Sequence, residues 1–253
     1  MFSWIAKKNL LFALFFLFFA SSAAFGEVSW KPLLPGLQQA SWSGKDTTGH
    51  TYSLELFKID TKQYKLQLVQ ASDYQLSKIS AKEMVLKTGA LLGINGGFFD
   101  PQYKPLGLLV KDGNVVNPSK PISWWGVFSY DKNSGASVDK SGEFQAKPTT
   151  EVAIQVGPRL IDENRIMPLK KNDSLKTFVG IASDHQVILG VTEMSSVDAN
   201  DLAQMLWKEL RLREVLNFDG GGSTQLYAKL GKYEKDLPGI TSVANGLVIV
   251  RRK

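Results

Sequence analysis

Asp219 stands within Asn217-Phe218-Asp219-Gly220-Gly221-Gly222-Ser223-Thr224, which joins a carboxylate to three glycines and two hydroxyls directly after an apolar run. Glycine accepts positive φ and lets backbone approach a ligand with no Cβ in the way, and successive free N–H groups in such a turn form an anion-binding nest. The chemistry on offer is a fixed carboxylate beside donors for an oxyanion. Ser223 and Thr224 either add hydroxyl donors or cap the following turn. A triple glycine alone reads more simply as a connection between strands. A second segment, Leu91-Leu92-Gly93-Ile94-Asn95-Gly96-Gly97-Phe98-Phe99-Asp100-Pro101, repeats the order of apolar strand, polar residue, paired glycines and acid. Asn-Gly alone marks a tight hairpin and Asp-Pro a turn. Phe98 and Phe99, however, must be buried beneath such a turn or wall a pocket. Neither segment has the GxGxxG spacing or the Gly-Lys-Ser/Thr ending of a nucleotide site.

These loops need strands to hold them. Glu214 to Phe218 reads as a short buried strand that delivers Asp219 to a sheet edge, and Leu91 to Ile94 does the same for Asn95. Tyr52 to Ile59 and Tyr64 to Gln70 alternate polar and apolar residues around Asp60-Thr61-Lys62-Gln63, as in a hairpin. Ser80-Ala81-Lys82-Glu83 is a capping box, with Ala81, Met84, Val85 and Thr88 on one helical face and Gly89 as the stop. Lys111-Asp112-Gly113-Asn114 is a hairpin turn between Leu106–Val110 and Val115-Val116. Further short strands are expected at Ser123–Tyr130, Val152–Val156, Lys176–Ala182 and Val187–Val191. Ser195-Ser196-Val197-Asp198 opens a longer helix with Leu202, Met205, Leu206 and Leu210 on one face, its Asp198 and Asp201 complementing the helix dipole. Each glycine segment thus follows a helix and a strand, a weak internal repeat. The expected fold is α+β: a curved, mixed or antiparallel sheet with a few packed helices, in a single domain.

Lys7 and Lys8, the Leu/Phe-rich run from Asn9 to Ala20, and the small residues around Ala24-Phe25-Gly26 fit a secretory signal peptide over residues 1–26. The apolar run is short for a membrane span of about 20 residues, so no stable span is expected after cleavage. The expected location is periplasmic or secreted, with residues 27–253 as the mature domain. With no cysteine among 253 residues, disulfides and lipoprotein attachment are excluded. The net charge of +6 falls to +4 once Lys7 and Lys8 are subtracted. No basic stripe with interleaved aromatics suggests nucleic acid. With only His50 and His185 available, and His185 in the Ser183-Asp184-His185-Gln186 turn, a zinc site or a Ser-His-Asp triad has little support.

Taken in order, Asn95-Gly96-Gly97-Phe98-Phe99, Val156-Gly157-Pro158, Lys176-Thr177-Phe178-Val179-Gly180, Asn217 to Thr224 and Val243-Ala244-Asn245-Gly246-Leu247 resemble the phosphodiester glycosidase family. The resemblance covers roughly residues 50 to 250 and implies hydrolysis of a sugar-1-phosphodiester with release of the sugar. It implies that Gly96, Gly97, Gly220, Gly221, Gly222, Ser223 and Thr224 bind a phosphodiester-linked glycan. Asp219 is then the catalytic carboxylate, and Asn95 and Asn245 offer amides to a hydroxyl or phosphate oxygen. Glycoside hydrolysis commonly uses two carboxyl groups. Glu193 and Asp100 are the available second ones, the first equally readable as a helix-entry residue and the second as a turn-former. Lys176 and Arg159 are the cations to face the phosphodiester. The resemblance leads to an Arg at position 176, and Lys keeps the charge but loses the planar fork. Of Trp124 and Trp125, adjacent on a strand, at most one can turn a ring to a sugar. No cofactor is required, although calcium or magnesium held by Asp219, another carboxylate and substrate phosphate would need only oxygen ligands. A noncatalytic envelope glycan-binding protein and a phosphodiesterase cleaving at phosphorus are the alternative readings.

Overall fold

The computed structural model describes residues 28–182 and 186–252, so the predicted signal peptide and His185 lie outside the described residues. The chain runs β1 (Lys31–Leu34), β2 (Leu37–Lys45), β3 (Thr51–Ile59), β4 (Tyr64–Gln70), α1 (Ala81–Thr88), β5 (Leu92–Asn95), β6 (Leu109–Lys111), β7 (Asn114–Asn117), β8 (Gly126–Asp131) and β9 (Gly135–Lys140). It continues through β10 (Thr150–Val156), β11 (Arg159–Asp162), β12 (Arg165–Ile166), β13 (Thr177–Ile181), β14 (Val187–Thr192), α2 (Ala199–Glu209), β15 (Glu214–Asn217), β16 (Leu226–Leu230), β17 (Tyr233–Leu237) and β18 (Asn245–Arg251).

Strands dominate, but they do not form the one sheet expected. Among the described residues there are three: an eight-stranded sheet in the order β1-β2-β3-β14-β13-β15-β11-β12, a five-stranded sheet β7-β6-β10-β8-β9 and a five-stranded sheet β17-β16-β5-β18-β4. All their strand pairs are antiparallel. The expected hairpin between residues 52 and 70 is corrected as well. β3 pairs with β2 and β14, whereas β4 crosses to another sheet and pairs with β18. Alternation reports that one face of a strand is buried and says nothing of which strand lies beside it. The Asp112-Gly113 turn does join β6 to β7, with φ of +47° and +80° at its two central residues.

Period-two alternation assigns the layers. Leu92 and Ile94 of β5, Phe57 and Ile59 of β3, Val179 of β13, Leu216 of β15, Ile154 of β10 and Leu247 and Ile249 of β18 meet in one core fed by all three sheets. The opposite face of β3 and β13 gives Leu54, Leu56 and Phe178 to α2, which returns Leu202, Ala203, Met205 and Leu206. Val248 on the outer face of β18 meets Met84 and Val85 of α1. The predicted caps hold: Ser80 accepts from the Glu83 amide and Glu83 from the Ser80 amide, with Gly89 left-handed at the end. Asp198 caps α2 by accepting from the Asn200 amide. Among the described residues no helix is long and apolar enough to cross a membrane.

Candidate active site

Strand register brings the quoted segments to one end of the molecule. Asn95 ends β5 opposite Gly246, near the start of β18. Asn217 ends β15 opposite Phe178, near the start of β13, and Arg159 opens β11 opposite Leu216. Val156 ends β10 opposite Gly126, the first residue of β8.

Asn95 is the hub. Its side chain is fully buried. Its Nδ2 donates to the Asp219 carbonyl at 2.6 Å, while its Oδ1 accepts from Thr177 Oγ1 at 2.7 Å and from the Gln225 amide at 3.1 Å. The Asp219 amide donates in turn to the Gly96 carbonyl at 3.0 Å. Backbone on both sides of the Asp219 residue is therefore pinned to the first glycine segment. Gly97 N–H donates to Asn245 Oδ1 at 2.8 Å, and the Gly96 amide to the Asn245 carbonyl at 3.0 Å. A methyl on Gly96 would land on Asn245 Oδ1, which is the physical reason for glycine there.

The Asp219 carboxyl accepts from the Gly220 amide at 3.0 Å and from the Ser223 side chain. Burial, the largest influence, raises its pKa above the ordinary aspartate value, and those two hydrogen bonds pull it partly back. Two of the three glycine N–H groups are not free as a nest would need. Gly220 N–H serves Asp219 itself, Gly221 N–H donates to the Leu175 carbonyl at 2.9 Å, and the Ser223 and Thr224 amides close the turn on Gly220 and Gly221. Gly220 is required by the close Leu175 carbonyl, 2.6 Å from where a Cβ would sit, and Gly221 by its φ of +57°. What this end presents instead are side-chain atoms. Thr224 Oγ1, Asn245 Nδ2, Asn217 Oδ1, Arg159 Nε and Trp125 Nε1 are buried with no protein partner. Buried polar groups are normally paired, so each of these enclosed atoms lacks a partner, which the protein itself does not supply.

A sequence profile of the phosphodiester glycosidase family matches residues 88–250. The chain belongs to that family. Among solved structures, the catalytic domain of zebrafish N-acetylglucosamine-1-phosphodiester alpha-N-acetylglucosaminidase, auto-inhibited by its pro-peptide, is similar at a TM-score of 0.71 and 17% identity, over 90% of this chain and 87% of that one. A Synechocystis protein of unassigned function is similar at 0.65 and 14% identity, over 91% of this chain and 65% of that one. A Burkholderia pseudomallei protein described as exported reaches 0.53 and 13% identity, over 80% of this chain and 74% of that one. No curated protein matches. At these identities the likeness speaks for the fold.

The remaining candidates of this family member divide into those joined to the hub and those engaged elsewhere. Lys176 precedes Thr177 and is buried, its ammonium donating to the Asn172 carbonyl at 2.7 Å, to Asn172 Oδ1 at 3.1 Å and to Ser174 Oγ at 2.8 Å. Desolvation lowers its pKa to about 8 against the opposing pull of Asp198 and Asp173. Arg159 donates to Asp162 through one terminal nitrogen. Glu193 accepts from Lys235, which also lies 3.6 Å from Glu55. Glu55 is fully buried and accepts from Gln39 and Tyr233 at 2.8 Å each and from Ser41 at 2.9 Å. In register, Glu55 faces Val191, which faces Thr177. Two strand spacings, about 10 Å, therefore separate this polar cluster from the Asn95 hub. Asp100 is a turn-former, accepting from the Gln102 and Lys104 amides at 2.9 Å each. Among the described residues no three His, Asp or Glu side chains converge as metal ligands.

Gln225, Thr177, Glu55, Tyr233 and Lys235 had not been singled out individually. Glu55 carried a readable signal, because it shares an inward parity with Phe57 and Ile59 in the strand Tyr52–Ile59. Thr177 lay within a segment that carried the family resemblance, and the others carried no signal, since their partners lie far away in sequence.

Proposed function

We propose that this protein is an exported hydrolase that cleaves the glycosidic C–O bond of a sugar-1-phosphodiester in a cell-envelope or extracellular glycan, in the periplasm or outside the cell. Family membership supports the reaction class. The single observation that carries the reading is the tether between the two glycine segments, Asn95 Nδ2 to the Asp219 carbonyl and the Asp219 amide to the Gly96 carbonyl, which fixes one partly buried carboxylate beside unpartnered buried side-chain atoms.

In this reading Asp219 is ionised and accepts the proton of a water as its oxygen attacks the anomeric carbon. The anomeric C–O bond breaks with its electron pair leaving on the phosphate oxygen, giving free sugar and a phosphomonoester. A phosphate departs without protonation, so one carboxylate suffices where ordinary glycosidases use two. That accommodates Glu193 bound to Lys235. Thr224 Oγ1 and Asn245 Nδ2 are the donors assigned to substrate oxygens, and the glycines let the substrate approach. Asn95 is assigned the positioning of Asp219. Lys176 is assigned a supporting role behind Thr177, since its ammonium is spent on Asn172 and Ser174.

The test incubates the mature protein with N-acetylglucosamine-1-phosphate diesters in heavy-oxygen water, with Asp219→Asn as control. Label in the released sugar, lost in the variant, supports the proposal. Label in phosphate means cleavage at phosphorus, and saturable binding without turnover means a glycan-binding protein. Adding chelator, then calcium or magnesium, reads any dependence on a divalent cation.

A further inference from the structure

Gln225 directly precedes β16 and is 2% exposed, yet both polar atoms of its side chain are engaged. Its Oε1 accepts from the Ala81 amide at 2.7 Å, and its Nε2 donates to the Ser223 and Thr241 carbonyls at 3.1 Å each. The Ala81 N–H is the first of α1 and has no partner within that helix, so an outside acceptor is needed for it. One primary amide thus joins three segments that lie far apart in sequence: the start of α1, the glycine turn and residues 239–241. Its backbone N–H is separately committed to Asn95 Oδ1 at 3.1 Å.

The bond to Ser223 bears on the carboxylate. Ser223 is buried, its N–H donates to the Gly220 carbonyl at 3.2 Å, and its side chain donates to the Asp219 carboxyl. Gln225 holds the opposite end of that residue, the carbonyl. With both ends fixed, only rotation about χ1 remains to carry the hydroxyl off Asp219. The preceding carbonyl is held too: Gly222 accepts from the Thr241 amide at 3.0 Å, and the Thr241 carbonyl is the second one bound by Gln225. Gly239 leaves the room for this, since a Cβ there would sit 2.8 Å from Gln225 Nε2. A side chain that only filled the interior would be apolar. Burying a primary amide costs free energy unless its bonds are made, and once made they specify a single arrangement of the segments they join.

We propose that Gln225 is a positioning residue for Asp219 that acts through Ser223: its amide fixes the peptide whose hydroxyl holds the carboxylate in place. The proposal deepens the hydrolase reading and rests on it for the consequence in turnover, whereas the hold of Gln225 on the Ser223–Asp219 pair is a matter of structure. The competing role is a staple for α1 alone, which would change stability and leave the carboxylate where it is.

The experiment compares Gln225→Met, Ser223→Ala and the two combined with the parent protein, by two measurements. The first is the carbon NMR signal of the Asp219 carboxyl in isotopically labelled protein, assigned by its loss in Asp219→Asn and recorded at about pH 8, where an aspartate is ionised. Ser223→Ala should shift it, Gln225→Met should shift it in the same direction, and the combination should lie where Ser223→Ala alone does. The second is turnover of N-acetylglucosamine-1-phosphate methyl diester per folded molecule. Gln225→Met should lower kcat about tenfold with KM within about twofold, and should lower it no further in the Ser223→Ala background. Should Gln225→Met fail to fold, Gly239→Ala carries the same comparison, because its methyl displaces the Gln225 amide while the side chain and its acceptor for Ala81 remain. A carboxyl signal that stays at the parent position, shifts that simply add, or an unchanged kcat overturns the role. A parent protein without turnover overturns the hydrolase reading instead, and the carboxyl signal then still decides whether Gln225 holds the pair.

Discussion

Asn95→Ala tests the central claim of the site, that one buried amide ties both glycine segments to β13 and to the start of β16. The variant strands the Asp219 carbonyl and the Gln225 N–H, both deprived of their Asn95 partner, and frees the Thr177 hydroxyl. A buried polar group left unpaired costs roughly 1–3 kcal/mol. Two backbone groups that cannot rotate to new partners therefore cost about 2–6 kcal/mol, before any cavity term. That is a large fraction of a domain stability of about 5–15 kcal/mol. Urea unfolding followed by tryptophan fluorescence reads it directly. With a slope of roughly 2–3 kcal/mol per molar, the midpoint falls by about 1–3 M at unchanged slope. A cycle with Thr177→Val should return a coupling of about 0.5–1.5 kcal/mol for the bond between the two side chains. A loss below about 1 kcal/mol, or zero coupling, would refute the hub: the loops would then be held by their own turns, and Asp219 would owe its position to something other than Asn95.

Four further outcomes follow from the same geometry. Asp219→Asn should lower turnover on a sugar phosphodiester by about a thousandfold while leaving Kd within a few-fold, because charge, not shape, is removed; since burial raises the carboxyl's pKa, the acid limb of the wild-type profile should lie above that of an ordinary aspartate. Lys176, held at about 8 in the folded state against 10.5 for the ordinary side chain, should make wild-type stability rise between those pH values, because over that window the unfolded chain binds the extra proton; the gain approaches about 3 kcal/mol, and denaturation at stepped pH should show it vanish in Lys176→Met. Gly96→Ala should cost about 1–3 kcal/mol in a thermal or urea melt, since the new methyl must displace Asn245 Oδ1 from its bond to Gly97. Tyr233→Phe should cost about 1.5–3 kcal/mol by urea melt, because it removes a hydroxyl donor from the buried Glu55 carboxylate; a neutral result would show that Gln39, Ser41 and Lys235 satisfy Glu55 without it.

Local signals were legible and partnerships were not. The capping box at Ser80, the stop at Gly89 and the Asp112-Gly113 turn were readable because each depends on residues within a few positions of one another. The strands on either side of Asp60 were readable as strands for the same reason, yet their assignment to different sheets depends on β14 and β18, more than a hundred residues downstream. The site divides along the same line. Asp219, Asn95 and Asn245 could be chosen from their motifs, whereas the bonds joining Asn95 to Asp219 and Gly97 to Asn245 span separations of 124 and 148 residues. The nest expected from three glycines loses donors for a related reason: Leu175, which comes from another strand approach, takes the Gly221 N–H that the motif alone would leave free.

In the proposed function, that loss changes where recognition comes from. A nest binds an anion through backbone and is indifferent to side-chain replacement, but here the backbone donors of residues 220, 221, 223 and 224 are spent inside the protein. The cations give little substitute, because Lys176 is occupied by Asn172 and Ser174 and the charge of Arg159 is paired with Asp162, which leaves its Nε as a single unpartnered donor. In the proposed function, affinity for a phosphodiester then rests on neutral donors such as Thr224 Oγ1 and Asn245 Nδ2 and on the sugar itself. Neutral hydrogen bonds contribute less than charge-assisted ones and are weakened less by salt. Sugar recognition by this protein should accordingly vary little with ionic strength, whereas a site built on free arginines would lose affinity steeply. Titration of N-acetylglucosamine-1-phosphate methyl diester into Asp219→Asn at low and at high salt separates the two. A Kd that rises more than about tenfold would place an unassigned cation in the site, and one that holds within about twofold supports recognition through the sugar.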